Sequence, residues 1–402
     1  MAAVAGDQHR NTIKRLYCSD DGDFIDAKRT IYVAPDAPLR RYFIPNVLAA
    51  GTTNDTFCVP IVNKLPHGAA DENRHDAGGG GQVYRCLDAD QNVIAVKVTS
   101  DGGAAEDELA AMTQMHKAKR HPNICGFRGG FAIYPDGCDA PAHFAMAMDF
   151  YWGGNLHTRL VGKFPTLVPD RVSIAKQLIS AVAFCHSTGF VHADIKPSNI
   201  MFDSDKNLRL CDFGSIQLLD KCYVDRVDFR DQSPSDFVTT LYYRSPETLF
   251  RYLAEKAHPG ASEAFSVGRA SDVWAVACTL VECILPKSPV FWASAVGVDD
   301  PQITSLPAFD SSQELSDNRL LCYRMTQVLG YPDWPAARQL LEIWYMNPPT
   351  TEPRAERTLR AKLRTLDLCS EAEFAILSAM LSWRACDRPS TTAALEAYSK
   401  LG

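Results

Sequence analysis

The chain has 402 residues, 46% of them hydrophobic, and a formal net charge of -7. That length and apolar content suffice for a large core, arranged as two or three domains or as one large two-lobed unit. The acidic balance gives no bulk attraction to nucleic acid or to anionic membranes, so neither is expected as a partner.

From the N-terminus, residues 1–7 lack a charged-then-apolar export pattern. Residues 1–56 carry two β-like runs, Thr30 to Val33 and Arg41 to Ile44, but no motif, and read as an N-terminal extension packing on a small lobe. Asp71 to Gly81 is polar and then glycine-rich and reads as a mobile loop. It leads into Gln82-Val83-Tyr84. Val93 to Val98 is a β-branched strand with Lys97 embedded in it. A lysine within a buried strand needs anionic partners, whereas an edge-strand lysine faces water. After Gly102-Gly103 comes a helical pattern in which Glu108, Met112 and Met115 share one face. Glu106 falls on roughly the opposite face, so Glu108 is the carboxylate expected to meet Lys97.

Phe144 to Ala147 followed by Met148-Asp149-Phe150-Tyr151 reads as a strand and the segment leaving it. Asp170 to His186 has apolar residues at Val172, Ala175, Leu178, Val182 and Cys185, a helical stripe with Asp170 as cap and Gly189 as stop. That helix delivers the chain to His192-Ala193-Asp194-Ile195-Lys196-Pro197-Ser198-Asn199. Two strand-like segments, Ile200 to Phe202 and Leu208 to Cys211, then lead to Asp212-Phe213-Gly214. A hairpin of those strands brings Asp194, Asn199 and Asp212 together. Phosphoryl transfer from ATP needs a carboxylate to orient and deprotonate the attacking hydroxyl, and a second carboxylate with an amide oxygen to hold Mg2+. Asp194 fits the first task; Asn199 and Asp212 fit the second. A single Asp in a loop is more often a turn former or cap, but the ordered conjunction of both strings is not a chance pattern.

Further on stand Leu241 to Glu247, Ser271-Asp272-Val273-Trp274 opening a long apolar helix, and Cys386-Asp387-Arg388-Pro389. The run from Val273 to Leu285 is too short to cross a bilayer and carries Glu282, so it reads as a core helix. Pro286 to Asn318 reads as surface loop. Thirteen cysteines without metal-type Cys-x-x-Cys pairs look like free thiols of a reducing compartment, which points to an intracellular protein, cytoplasmic and/or nuclear.

Across roughly Phe57 to Leu395 these strings resemble the eukaryotic protein kinases. The resemblance implies a bilobal α+β fold with a small β-rich N-lobe carrying one long helix (about 57–150) and a larger, mainly α-helical C-lobe (about 151–395). It implies ATP and Mg2+, protein substrates with Ser/Thr acceptors, and room for a regulatory protein. Lys97 would contact phosphates and pair with Glu108. Gly78, Gly80 and Gly81 would cover the nucleotide, with Val83, Ala95, Met148, Asp149, Tyr151 and Cys211 around it. The glycine pattern departs from the family, because Asp76 takes the first glycine's place or else the loop begins at Leu65-Pro66-His67-Gly68 with an insertion. The counterparts of Glu247 and Arg388 form a buried ion pair in this fold, and that of Asp272 braces the catalytic loop.

Lys196 matches the serine/threonine kinases, where this lysine approaches the γ-phosphate. Tyr242-Tyr243-Arg244 and Val328 to Pro332 resemble the branch of cyclin-dependent, MAP and glycogen synthase kinases. Leu210 to Ser215 and Met346-Asn347-Pro348 look most like its shaggy-like group. Ala193 stands where the family has an arginine that receives an activation-segment phosphate. Asp107 and Gln217 match the other two basic positions that hold a primed substrate in the shaggy-like group, and Phe237 matches that group's activation-segment tyrosine. The expectation is activity with little dependence on loop or priming phosphate. Ser233, Ser235 and Thr239 are solvated loop residues or phosphosites. Cys211 is either a buried, inert thiol or part of the nucleotide pocket. The irregular glycine loop and Ala193 also fit a pseudokinase scaffold, the alternative to an active enzyme.

Overall fold

The chain forms two compact units, residues 1–120 with 125–151, and residues 121–124 with 152–402. The computed structural model describes residues 12–15, 17–18, 24–25, 59–60, 82–87, 93–99, 102–134, 143–161, 170–203, 207–218, 240–257, 268–285, 313–343 and 369–401.

The first unit is built on one sheet. Its strands are β1 (Thr12–Arg15), β4 (Val59–Pro60), β5 (Gln82–Leu87), β6 (Val93–Thr99), β7 (Phe127–Tyr134) and β8 (His143–Asp149), in the order β1-β7-β8-β6-β5-β4. β2 (Tyr17–Cys18) and β3 (Phe24–Ile25) pair antiparallel as a separate two-stranded sheet. Helix α1 (Gly102–Ala118) packs on β7 and β8. Ala105, Leu109, Met112 and Met115 are its buried face, at the three-to-four spacing of an amphipathic helix. The helix starts at Gly102 itself rather than after the glycine pair. Close approach to the sheet depends on Gly130, where an added Cβ would lie 2.1 Å from a Leu109 methyl.

β6 lies between β5 and β8, not at an edge, which removes the alternative of a water-facing Lys97. β1 was not legible in the sequence. It pairs antiparallel with β7 from Thr12 opposite Tyr134 to Arg15 opposite Phe131. The β-like runs at Thr30 and Arg41 fall outside the described residues, as do Gly78, Gly80, Gly81, Asp76 and Leu65 to Gly68.

The second unit is mainly helical. α2 (Leu156–Val161) and α3 (Arg171–Ser187) come first, then β9 (Phe190–Val191), β10 (Ile200–Phe202), β11 (Leu208–Leu210) and β12 (Gln217–Leu218). Helices α4 (Pro246–Ala257), α5 (Arg269–Ile284), α6 (Gln313–Leu329), α7 (Pro335–Ile343), α8 (Glu371–Met380) and α9 (Thr391–Ser399) follow. Asp170 caps α3 by accepting from Val172 N at 3.1 Å, and Gly189, at φ +90°, turns the chain out of it. Ala175, Leu178, Val182 and Cys185 are buried as their spacing predicts, while Val172 is only half-buried. α3 packs against α5 and α9. α5 is buried from Ser271 through Glu282, including the fully enclosed Trp274. Side chains of that kind contribute roughly 1.5–3 kcal/mol each, which makes α5 the core of this unit.

The surface loop expected as far as Asn318 is too long. Helix α6 begins at Gln313, and Asn318 is fully buried because its side-chain oxygen accepts from Arg244 at 2.8 Å. A polar residue in a Ser/Asp-rich stretch looks solvated until its buried partner is known. Among the described residues no helix is long and apolar enough to cross a membrane.

Candidate active site

In the first unit the β-ladder does the gathering. Val83 pairs with Lys97, Lys97 with Met146, and Ala95 with Met148. Directly paired residues share a sheet face, as do residues two apart on one strand, so Val83, Ala95, Lys97, Met146 and Met148 line one face. Lys97 is 7% exposed and Glu108 4% exposed, and their ion pair is 2.8 Å long. A small cavity beside the pair is lined by Thr99, Ala105, Leu109, Phe144 and Met146. Burial of both charges demands this pairing, since an ammonium alone in such a place would be costly.

Asp149 and Tyr151 are engaged by their side chains in holding β7. The Asp149 carboxylate accepts from Arg128 Nε at 2.6 Å, and the Tyr151 hydroxyl accepts from Gly126 N at 2.7 Å. Those contacts leave backbone groups as the means by which this segment would hold a base.

In the second unit the loop after β9 is braced by Asp272. Its Oδ2 accepts from His192 N at 2.9 Å, and its Oδ1 accepts from Ala193 N at 2.9 Å. Oδ2 also meets His186 Nε2 at 2.9 Å. These bonds hold Ala193 at φ +64°, a left-handed conformation that costs an alanine roughly 1–2 kcal/mol. His192 Nδ1 accepts from Asp194 N at 3.2 Å while its Nε2 meets the Cys211 carbonyl at 3.1 Å, so the neutral ring protonated on Nε2 satisfies both. Its ring also lies 4.7 Å from that of Phe213.

Asp194 is held at both of its carboxylate oxygens. Oδ2 accepts from Asn199 Nδ2 at 3.0 Å and from Lys196 Nζ at 2.8 Å. Oδ1 accepts from Thr240 N at 3.1 Å and from Thr240 Oγ1 at 2.7 Å. Lys196 Nζ also donates to Thr240 Oγ1 at 2.7 Å, closing a ring of three side chains. Thr240 escaped sequence reasoning although it directly precedes Leu241. A hydroxyl residue beside a recognisable string has no signal of its own, and only the folded ring reveals it.

The β10–β11 hairpin forms as anticipated, with Ile200 opposite Leu210 and Phe202 opposite Leu208. Cys211 N then donates to Asn199 O at 2.9 Å, which sets Asp212 beside Asn199. Asn199 spends its amide nitrogen on Asp194, so its amide oxygen is the atom left to meet a cation. One amide oxygen and one carboxylate suit Mg2+, a hard cation that commonly takes one or two protein oxygens plus phosphate oxygens. Asp212 sits at φ +62°, the same left-handed region as Ala193. Cys211 is half-buried rather than buried, and its thiol donates to Arg209 O at 3.4 Å. Phe237, Ser233, Ser235 and Thr239 lie outside the described residues.

Below this loop the Glu247–Arg388 pair is bidentate, with both bonds at 2.7 Å and both side chains enclosed. Arg388 also lies 5.0 Å over the Trp274 ring, and Ser271 donates to Glu247 at 2.8 Å.

Comparison with known proteins gives the family and the fold. The protein kinase domain model matches residues 76–398. Serine/threonine-protein kinase ppk21 of Schizosaccharomyces pombe is 34% identical over 115 residues, covering 29% of this chain and 18% of its own length. Serine/threonine-protein kinase RUNKEL of Arabidopsis thaliana is 31% identical over 170 residues, 42% of this chain and 10% of its own. SRK2I of the same plant is 25% identical over 201 residues, 50% of this chain and 48% of its own. The matched stretch is thus less than half the length of these relatives. Among solved structures, the yeast RNA Pol II CTD kinase CTDK-1 complex matches with TM-score 0.54 at 20% identity, covering 82% of this chain and 95% of that one. The CAK complex of Chaetomium thermophilum bound to ATP-gamma-S also gives 0.54, at 23% identity, covering 79% and 86%. The fold is that of a protein kinase.

Proposed function

The chain belongs to the protein kinase family, and on that premise we propose that it transfers the γ-phosphate of ATP to serine and threonine hydroxyls of protein substrates. The observation that carries the reading is the ring around Asp194. Its carboxylate is fixed by Asn199, Lys196 and Thr240, so it is preorganised to orient an incoming hydroxyl and accept its proton. Lys196 stands 2.8 Å from that carboxylate with its charge available to a transferring phosphoryl group. Lys97, positioned by Glu108, neutralises phosphate charge of the bound nucleotide. Asn199 and Asp212 would hold Mg2+, which when bound neutralises charge on the phosphate oxygens. Val83, Ala95 and Met148 offer an apolar face for the base, with backbone groups near Asp149 and Tyr151 at its edge.

Loop and priming phosphates are not required on this reading. Ala193 and Gln217 carry no charge and Asp107 is an exposed anion, so none of these positions can hold a phosphate by ion pairing. The subgroup reading, the shaggy-like kinases of the cyclin-dependent and MAP kinase branch, rests on the motifs around Tyr243, Gly330 and Asp212. The division into an extension (1–56) and a kinase domain (57–395), and the place left for a regulatory protein, follow from the kinase resemblance across Phe57 to Leu395. An intracellular setting, cytoplasmic and/or nuclear, rests on cysteine usage without metal-type Cys-x-x-Cys pairs.

The test is incubation of the full chain with labelled ATP and Mg2+ on a mixed Ser, Thr and Tyr peptide library. Label on Ser and Thr, unaffected by prior phosphatase treatment, is the expected result. Label on Tyr alone, or loss of transfer after phosphatase, contradicts the reading.

A further inference from the structure

Two residues beyond Tyr151 the chain runs through Gly153-Gly154-Asn155, and this stretch is locked onto β10. Gly153 N donates to Phe202 O and Phe202 N donates to Gly154 O, both at 2.9 Å, and Asn155 bridges Met201. β10 begins at Ile200, directly after Asn199. One side chain closes the arrangement. Arg159 on α2 donates to Gly153 O from Nε at 3.0 Å and from Nη2 at 2.6 Å, and its guanidinium lies 3.9 Å over the Phe202 ring. The fit is tight, because a Cβ added to Gly153 would lie 2.4 Å from Phe202 O and 2.7 Å from Arg159 Nη2. α2 itself is set by Asn155, whose Oδ1 accepts from Thr158 N at 2.8 Å.

The geometry points to Arg159 as a positioning residue that sets nucleotide affinity. It ties the backbone leaving the base-binding segment to the strand that follows Asn199. The inference rests on the proposed kinase reading, since it concerns the same nucleotide. Only arginine can do both halves of the task. Its planar fork gives two bonds to one carbonyl while its face stacks on Phe202, whereas lysine offers a single point charge. Loss of the fork removes both side-chain bonds to Gly153 O and so loosens the chain next to the base-holding backbone, but leaves the ring around Asp194 intact.

Arg159→Met and Arg159→Lys, each in the full chain, test this. KM for ATP is expected to rise about 5- to 10-fold in Met and by less in Lys, with kcat within about twofold and KM for the peptide unchanged; a shift of that size corresponds to a small part of nucleotide binding energy. A role in folding alone would instead lower kcat at constant KM. Nucleotide binding is read separately, without turnover, by isothermal titration calorimetry with Mg-ADP. If the unsubstituted chain binds Mg-ADP and Arg159→Met binds it equally well, the inference fails while the kinase reading stands. If the unsubstituted chain binds none, both fail. If Arg159→Met does not fold, Arg159→Lys decides, and an unchanged KM for ATP there overturns the proposal.

Discussion

Thr240 gives two hydrogen bonds to one oxygen of Asp194 and receives one from Lys196. Thr240→Val keeps the backbone donor and the shape but deletes the hydroxyl, so both the carboxylate and the ammonium lose a fixed partner. A loss of kcat of about 10- to 100-fold is expected, in line with the cost of small misplacements of catalytic groups. The melting temperature should barely change. Steady-state kinetics beside a thermal melt separates the two, and unaltered kcat would mean that Asp194 is held well enough without the hydroxyl. Lys97 and Glu108 form the second residue-level test. Lys97→Met leaves the buried Glu108 without this cation, and removing one partner of a buried pair costs roughly 3–5 kcal/mol. The double variant Lys97→Met with Glu108→Met should recover part of that loss. Urea denaturation of the four proteins forms the cycle, and simple additivity would deny that the two residues are coupled.

At the scale of elements, α5 presents Asp272 to the loop after β9 while α4 and the segment before α9 are joined by Glu247 and Arg388. Asp272→Asn keeps size but turns a donor group toward the amides of His192 or Ala193, both of which donate. Leaving one of them unsatisfied should cost about 1–3 kcal/mol of stability and release the left-handed turn at Ala193. Loss of activity without loss of stability would contradict this. For Glu247, burial alone would raise the carboxyl pKa, but the charge and bonds of Arg388, with Ser271, outweigh it and hold the pKa below its ordinary value. The folded value is therefore lower than the unfolded one. The pair's contribution is complete above the unfolded carboxylate pKa of about 4.3 and is lost as pH falls through the depressed folded value. Urea midpoints of the wild type should decline over that acid range, and Glu247→Gln should start lower and decline less steeply. Parallel curves would show that other carboxylates govern acid unfolding.

Across the whole molecule, what the sequence revealed and what it concealed have physical reasons. Lys97 and Glu108 are legible because a charged residue inside an apolar strand, or on the apolar face of a helix, needs a partner; Asp194, Asn199 and Asp212 stand out through two ordered strings, and Asp272, Glu247 and Arg388 through the family resemblance alone. The capped stripe of α3 and the apolar run of α5 were legible from periodicity alone. β1 was not, because four residues, Thr12 to Arg15, with two cations among them give no alternation strong enough to read as a strand. The first turns of α6 are hidden in a Ser/Asp-rich stretch, since local composition does not show the buried contact of Asn318 with Arg244. Thr240 meets Asp194 and Lys196, and Arg159 stacks on Phe202, far along the chain, so no local pattern announces these contacts. The account as a whole stands on Asp194 as the group that takes the hydroxyl proton. The most direct test compares phosphate transfer by the full chain with that by Asp194→Asn under saturating ATP and Mg2+. The account predicts a fall in kcat of roughly 10²–10⁴-fold with nucleotide binding preserved. Equal kcat in the two proteins would contradict it.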